Sequence, residues 1–120
     1  MEINGFGSAI AGMQASAAKA AVAAHNIANV NTDGFQSSQA VIEADAAGQP
    51  EVTVSQSSNP GPQVQNDQGL PNSAEFRQLS NVDLAEESVQ LILADIGYRA
   101  NASVIRAQDE MIGTVLDILA

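Results

Sequence analysis

The 120-residue sequence has no cysteine and no tryptophan, and its four basic residues face 14 acidic ones, for a net charge of −10. Without cysteine there is no disulfide framework, no thiolate zinc site and no cysteine nucleophile. The shortage of lysine and arginine argues against binding nucleic-acid phosphates, because that binding needs cations that displace counterions. It argues equally against attraction to anionic membranes. We therefore expect protein partners, with no nucleic acid and no lipid surface.

Long apolar runs and a basic N-terminal segment are also missing. No stretch reaches the roughly 18 consecutive apolar residues of a membrane span. The residues Met1-Glu2-Ile3 carry no positive charge ahead of an apolar run. We expect no membrane insertion and no cleavable secretory signal.

Large apolar side chains are scarce for a chain whose apolar fraction is 45%. Alanine supplies 21 of the apolar residues. Each alanine buries little surface, so the usual ~25 cal/mol per Å² has little area to act on. The composition predicts a thin core in the monomer, which other chains complete.

The first 35 residues are rich in alanine and have a helical period. Apolar or small residues alternate at spacings of three and four, the a/d pattern of a coiled coil: Ile3, Phe6, Ile10, Met13, Ala17, Ala20, Ala24 and Ile27. The pair Asp33-Gly34 supplies a turn in which glycine tolerates a positive φ. The pattern predicts a helix over about residues 5–31 that a turn ends.

The last 40 residues have a seven-residue period of larger apolar side chains: Leu84, Leu91, Tyr98, Ile105, Ile112 and Leu119. With neighbouring apolar positions, this stripe makes a face wide enough for more than one partner helix. Either Ser80 or Asp83 can cap the helix N-terminus, and the sequence leaves both open. We predict a helix over about residues 82–119.

The middle of the chain is polar and holds all four prolines. Two β-prone runs, 39–45 and 51–56, flank a five-residue loop and predict a β-hairpin. Residues 57–75 are rich in Ser, Asn, Gln, Gly and Pro, which predicts an extended connection. The fold class is therefore mainly α: an antiparallel coiled-coil pair of long terminal helices (1–35 and 81–120) with a small hairpin and irregular middle (36–80), in one domain.

Catalytic constellations are weak in this sequence. His25 is the single histidine, and no nucleophile or second ligand stands at helical spacing from it. The adjacent carboxylates of Glu86-Glu87 and of Asp109-Glu110 point about 100° apart on a helix, so neither pair makes a shared site. The short Gly5-Phe6-Gly7 has no preceding strand and is no phosphate-binding loop. We expect no enzyme, no catalytic residue, no cofactor and no metal.

Two stretches resemble a known family. The first comprises residues 8–15 and the run Ala24-His25-Asn26-Ile27-Ala28-Asn29-Val30-Asn31-Thr32-Asp33-Gly34-Phe35. It resembles the N-terminal signature of the bacterial flagellar rod and hook proteins. The second, over 80–87, 97–102 and 109–111, is similar to the C-terminal signature of the same axial proteins. Together the two stretches cover roughly 70 residues at the expected ends of the chain.

The resemblance implies a non-enzymatic structural subunit of the flagellar basal-body rod. In that family the terminal helices pair as an antiparallel coiled coil and form the inner core of a helical tube. The implied partners are copies of the chain, other rod and hook subunits, and the flagellar type III export apparatus. The implied location is the periplasm-spanning rod, reached without a cleaved signal peptide.

The resemblance also assigns roles to residues. The motif turn comprises Asn26, Asn29, Thr32, Gly34 and Phe35. The seams that we expect to carry assembly comprise Ile10, Met13, Ile27, Leu84, Leu91, Tyr98, Ile105 and Ile112. The short middle segment resembles that of proximal rod subunits, whereas the sequence of residues 80–87 is closer to the distal rod and hook branch. The resemblance therefore leaves open which member of the family the chain is. The alternative is a soluble helical adaptor or export chaperone that binds one partner helix in an apolar groove.

Overall fold

A computed structural model describes residues 4–65 and 75–119 of the chain. It contains helix α1 (Asn4–Ala28), strands β1 (Ser38–Ala44), β2 (Pro50–Gln56), β3 (Gln63–Gln65) and β4 (Phe76–Gln78), and helix α2 (Leu84–Leu119). The molecule is elongated, with extents of 86 × 25 × 14 Å. The predicted fold class, mainly α with two long terminal helices and a small hairpin, is confirmed.

Both helices end close to where the sequence predicts. α1 stops at Ala28, three residues before the predicted end, because the motif that follows forms a turn. α2 starts at Leu84, and the Oδ1 of Asp83 accepts hydrogen bonds from the backbone N–H groups of Ala85 (2.9 Å) and Glu86 (3.2 Å). Of the two candidate caps, Asp83 is therefore the one used.

The two helices pair antiparallel in a regular register. Asn26 bonds to Glu87 at one end of the pair, the side chain of Asn101 lies over Gly12 in the middle, and that of Gln108 lies over Gly5 at the other end. Each step of seven or fourteen residues along α1 is matched by an equal step backwards along α2. The contacts between the helices thus recur at multiples of seven residues, with glycines and polar side chains at the matched positions.

Small residues let the helix backbones approach closely. A β-carbon on Gly12 would lie 2.6 Å from the Oδ1 of Asn101, and one on Gly97 would lie 2.8 Å from the Oγ of Ser16. The packed side of α1 therefore lies one residue before the predicted seam. Gly12 and Ser16 meet α2, whereas the predicted seam residues Ala17 and Ala24 are exposed.

The core of the monomer is thin, as the composition predicts. In the described part of the chain, the buried apolar residues are all alanines: Ala9, Ala15, Ala23, Ala40 and Ala94. Large apolar side chains on both helices are exposed or half-buried instead. Because alanine offers so little area, burial at ~25 cal/mol per Å² contributes little stability to this helix pair.

The predicted hairpin is confirmed, with both strands beginning one residue earlier than predicted and the first also ending one residue earlier. Strands β1 and β2 pair antiparallel, with Ala40 opposite Val54 and Ile42 opposite Val52. Asp45 closes the loop by accepting from the N–H groups of Ala47 and Gln49, and Gly48 adopts a φ of 77°. The hairpin packs along α1, on which the amide of Gln49 donates to Ser8.

A second, shorter ladder was not predicted. Strands β3 and β4 pair antiparallel, with β3 inside the predicted extended connection over 57–75 and β4 directly after it. Residues 66–74 of that connection lie outside the described residues, as does Ile3 of the predicted seam. The β3–β4 pairing brings the chain back to the start of α2, since the N–H of Leu79 donates to the C=O of Pro62.

Candidate assembly interface

The turn after α1 is built by the motif residues themselves. The amide of Asn29 donates to the C=O of His25, and the hydroxyl of Thr32 donates to the Oδ1 of Asn29. Gly34 follows with a φ of 68°, the left-handed region that favours glycine. Asn29 and Thr32 therefore hold the turn by hydrogen bonds, and Gly34 allows its positive φ, which explains the residue types at these positions.

The turn also ties α1 to the segment before α2. The N–H of Gly34 donates to the C=O of Gln78 at 2.9 Å, and the C=O of Phe35 accepts from the N–H of Asn81 at 3.2 Å. The rings of His25 and Phe35 meet edge to face, with centroids 5.6 Å apart. An exposed ion pair between Arg77 and Asp33 spans the same junction.

Asn26 is the residue on which three elements meet. It is fully buried and uses both ends of its carboxamide. Its Oδ1 accepts from the N–H of Ser38 (2.9 Å), and its Nδ2 donates to the C=O of Ser38 (2.6 Å) and to the Oε1 of Glu87 (2.8 Å). The carboxamide thus bonds both the N–H and the C=O of the first residue of β1, as the backbone of a neighbouring strand would. The same side chain also links β1 to α2.

A second asparagine repeats this arrangement one residue earlier. The Oδ1 of Asn81 accepts from the N–H of Ser37, and its Nδ2 donates to the C=O of Asn59. Because the C=O of Ser37 accepts from the N–H of Ser57, the base of the hairpin is bonded on both sides. The two asparagines therefore hold the hairpin in a fixed position on the helix pair.

Glu87 is a buried acid that accepts a hydrogen bond from an amide. Its side chain is 8% exposed and accepts the bond from Asn26. Burial raises the pKa of this carboxyl, as do the charges of Glu86 and Asp83, whereas the bond from Asn26 lowers it. Among the described residues the ion pairs are those of Arg77 and Arg99, so no cation lies within 4.0 Å of Glu87.

The predicted assembly residues fall into two groups. Four are exposed: Ile10 (44%), Leu84 (51%), Tyr98 (43%) and Ile112 (45%). The other four, Met13, Ile27, Leu91 and Ile105, are half-buried at the border of the helix pair. The eight residues therefore do not form the interior of the monomer, which is made of smaller side chains.

α2 continues well beyond its partner helix. Gln108 lies over Gly5, near the first described residue of α1, and every residue from Asp109 to Leu119 is exposed. Eleven helical residues at 1.5 Å each make a free segment of about 16 Å. Ile112 lies on the same face of α2 that α1 covers up to Gln108. Val115 and Leu119 lie on that face as well.

A second apolar surface was missed by the sequence reasoning. Val89, Ile92, Leu93 and Ile96 are 53%, 59%, 49% and 57% exposed. Ala94, in the middle of this group, is 3% exposed against α1. The helical spacing of the four residues indicates an apolar face, but the prediction used only the seven-residue stripe that starts at Leu84, on another side of the helix.

The described part of the chain holds no group of three or more His, Asp or Glu residues that could bind a metal ion. In those same residues, neither helix combines the length and apolarity that a membrane crossing needs. An open, polar groove of about 720 Å³ lies between the base of the hairpin and the helix pair. Its walls carry hydroxyl and amide groups, with Lys19 on one side and the acids at the start of α2 on the other.

Two family models match the ends of the chain. The model described as flagella basal body rod protein matches residues 7–36, which hold most of α1 and the motif turn. The model described as flagellar basal body rod FlgEFG protein C-terminal matches residues 76–118, from β4 to the end of α2. The chain belongs to the flagellar rod and hook family.

The rod and hook family is structural and in general non-enzymatic. No curated protein matches the sequence. Both matched regions contribute residues to the junction between the motif turn and the start of α2. Asn26 and Phe35 lie in the first region. Gln78, Asn81 and Glu87 lie in the second region. The hydrogen bonds at the junction thus join the two family regions to each other.

Proposed function

We propose that the chain is a structural subunit of the flagellar basal-body rod. It assembles through its terminal helices, with copies of itself and with other rod and hook subunits, into a helical tube. The observation that carries this proposal is the free segment of α2, where residues 109–119 are all exposed. Among them are Met111, Ile112, Leu116, Ile118 and Leu119, between 45% and 79% exposed.

Exposed apolar residues at this density favour a partner. A soluble monomer rarely leaves a large contiguous apolar patch facing water, because its removal from water is favourable. In this chain small and polar residues fill the intrachain contact, whereas the larger apolar residues remain outside it. This division of residue sizes supports a monomer whose stability is completed by assembly.

The proposal extends to the route and the location. The subunit leaves the cytoplasm through the flagellar export apparatus without a cleaved signal peptide, and it takes its place in the periplasm-spanning rod. Family membership supports both statements. The weak core supports the first of them further, because a chain with little buried apolar area is easily kept unfolded for passage.

The test compares two substitutions on the free segment of α2. Ile112→Asp places a carboxylate on the apolar side, whereas Thr114→Asp places the same group on the opposite, polar side. Both positions are exposed and lie beyond the helix pair, so neither change disturbs the monomer. Ile105 is less suitable because it is half-buried against the pair.

We expect the Ile112→Asp variant to lose assembly in sedimentation velocity, because assembly would bury an unpaired carboxylate. The Thr114→Asp variant should assemble as the wild type does. Assembly of both variants at wild-type concentrations would overturn the role of the free segment. Saturable one-to-one binding of a single partner helix, with no larger species, would favour an adaptor instead.

A further inference from the structure

The outer patch of α2 comprises Val89, Ile92, Leu93 and Ile96, which are 49–59% exposed. Since successive helical residues turn by about 100°, Ile92 and Ile96 point almost directly away from Ala94, which faces α1. The patch is bounded, because the same side of α2 continues with Ala100, Ser103 and Ala107. It is thus a two-turn cluster of large side chains with no cover in the described chain.

The open face of α1 has the opposite character. It consists of exposed residues at alternating spacings of three and four: Gly7, Ile10, Gln14, Ala17, Ala21, Ala24 and Ala28. None of these residues is charged, and most are small. α2 covers a different side of α1, through Gly12 and Ser16, and the hairpin covers a third side. The open face is therefore a shallow, uncharged surface along most of the helix.

Charge decides which surface of a second copy can meet the outer patch. The chain carries a net charge of −10, and exposed carboxylates stand on most other surfaces. Glu43, Asp45 and Glu51 lie on the hairpin, and Asp109, Glu110 and Asp117 lie on the free segment. Burying any of these against an apolar patch leaves a desolvated charge without a partner. The open face of α1 meets the patch without that cost.

We propose that the outer patch of one copy docks on the open α1 face of the next. This inference rests on the proposed function and specifies the two surfaces that carry it. Large side chains then fit between small ones, as knobs into holes. A two-turn contact is smaller than the roughly 1,200 Å² of a stable pair, so single contacts are weak and add up within an assembly.

The contact joins two different surfaces that point in different directions. Such a head-to-tail contact leaves a free copy of each surface at the two ends of every oligomer. It therefore does not close into a dimer, and it produces a ring or an open helix. A patch that met a second patch would instead give a closed pair with two-fold symmetry.

The absence of native cysteine allows a direct test by disulfide cross-linking. One chain carries Ile96→Cys. A second chain carries one substitution on the open face, at Gln14, Ala17, Ala21 or Ala24, so that each turn of α1 is sampled. The two chains are mixed under conditions in which the wild type assembles and are oxidised with copper phenanthroline. A disulfide forms when the two Cα atoms come within about 7 Å.

We expect a covalent dimer in at least one mixture and none in Ile96→Cys alone. A chain that carries both substitutions of the linking pair should give a ladder of covalent oligomers. Val41→Cys, on the outward side of the hairpin, is the matched control and should not link to Ile96→Cys. Efficient linking of Ile96→Cys to itself, or no linking in any mixture, would overturn the contact.

A second variant separates this inference from the proposed function. Ile92→Asp with Ile96→Asp should abolish assembly while leaving the helicity of the monomer unchanged, since both positions are exposed. If this variant assembles and Ile112→Asp does not, the outer patch is wrong and the proposed function stands. If the wild type itself never assembles, alone or with other rod subunits, both fail.

Discussion

Asn26 specifies the junction of the two family regions by hydrogen bonds rather than by apolar packing. Its carboxamide makes three hydrogen bonds, to two partners that lie 12 and 61 residues away in the sequence. An asparagine is a poor helix former, so its place in the last turn of α1, about six turns from the helix start, needs another reason. The reason is that a carboxamide offers a donor and an acceptor side by side, as a backbone does.

Replacement of Asn26 by alanine should destabilise the fold strongly. The change leaves the N–H and C=O of Ser38 and the carboxylate of Glu87 without their partner, and each buried unsatisfied group costs about 1–3 kcal/mol. We expect a loss of at least about 2 kcal/mol in the free energy of unfolding, measured with urea. Asn31→Ala, at an exposed position, is the control and should change stability by less than about 0.5 kcal/mol.

Replacement of Glu87 by glutamine should make stability less dependent on pH. The pKa of Glu87 is raised in the folded chain, mainly by burial, so the folded state holds the proton more tightly than the unfolded state. Its contribution is therefore fully present below the unfolded pKa and is lost as the pH rises through the folded pKa. The groups that face it are Asn26 on α1, Asp83 at the cap of α2 and Glu86 in the first turn of α2.

At pH 7 we expect the Glu87→Gln variant to unfold at higher urea concentration than the wild type, because glutamine keeps an oxygen for Asn26 and carries no charge. The difference should shrink as the pH is lowered below the ordinary pKa of a glutamate carboxyl. A constant difference between pH 4 and pH 7 would show that the ionisation of Glu87 does not matter for stability.

At the residue scale, the sequence predicted the turn but not its partners. Asn29, Thr32 and Gly34 act locally, and their spacing in the motif contains that information. The partners of Asn26 come from a strand and a distant helix, which no local spacing encodes. The burial of Glu87 was not predicted, because a carboxylate usually avoids burial without a cation.

The fold also depends on how closely two chain segments approach each other at a glycine. Gly61 is buried, and a β-carbon there would collide with the backbone carbonyl of Leu79. Gly113, in contrast, lies in the exposed part of α2 with no atom near such a carbon. The two glycines make a matched pair, one with a packing role and one without.

Gly61→Ala should destabilise the chain by about 1–3 kcal/mol, the usual cost of inserting a methyl group where no space exists. Gly113→Ala should stabilise α2 by up to about 1 kcal/mol through helix propensity alone. Thermal unfolding followed by circular dichroism measures both. Equal effects of the two substitutions would contradict the close crossing at Leu79.

The elements were predicted well and their contacts less well. Helical periodicity and the signals of the turn and cap placed both helix ends within about three residues. The packed face of α1 lies one residue from the predicted seam because size, not only polarity, decides which side meets α2. The seam was read from apolar residues such as Ile10, whereas Gly12 and Ser16 allow the closest approach. The β3–β4 ladder was missed because strands of three residues have too little pattern.

As a whole, the molecule is a narrow rod with small residues inside and many large apolar residues outside. Its net charge of −10 opposes self-association unless uncharged surfaces meet. The outer patch of α2, the open face of α1 and the free segment of α2 together present such surfaces along the length of the molecule. We therefore expect helix formation and association to be coupled.

Sedimentation velocity combined with far-ultraviolet circular dichroism, over a wide concentration series of the wild type, measures association and helix formation in the same samples. We expect mass and helicity to rise together with concentration, and the mass to have no small upper limit. A discrete, fully helical species whose mass and helicity stay constant across the series would contradict this coupling.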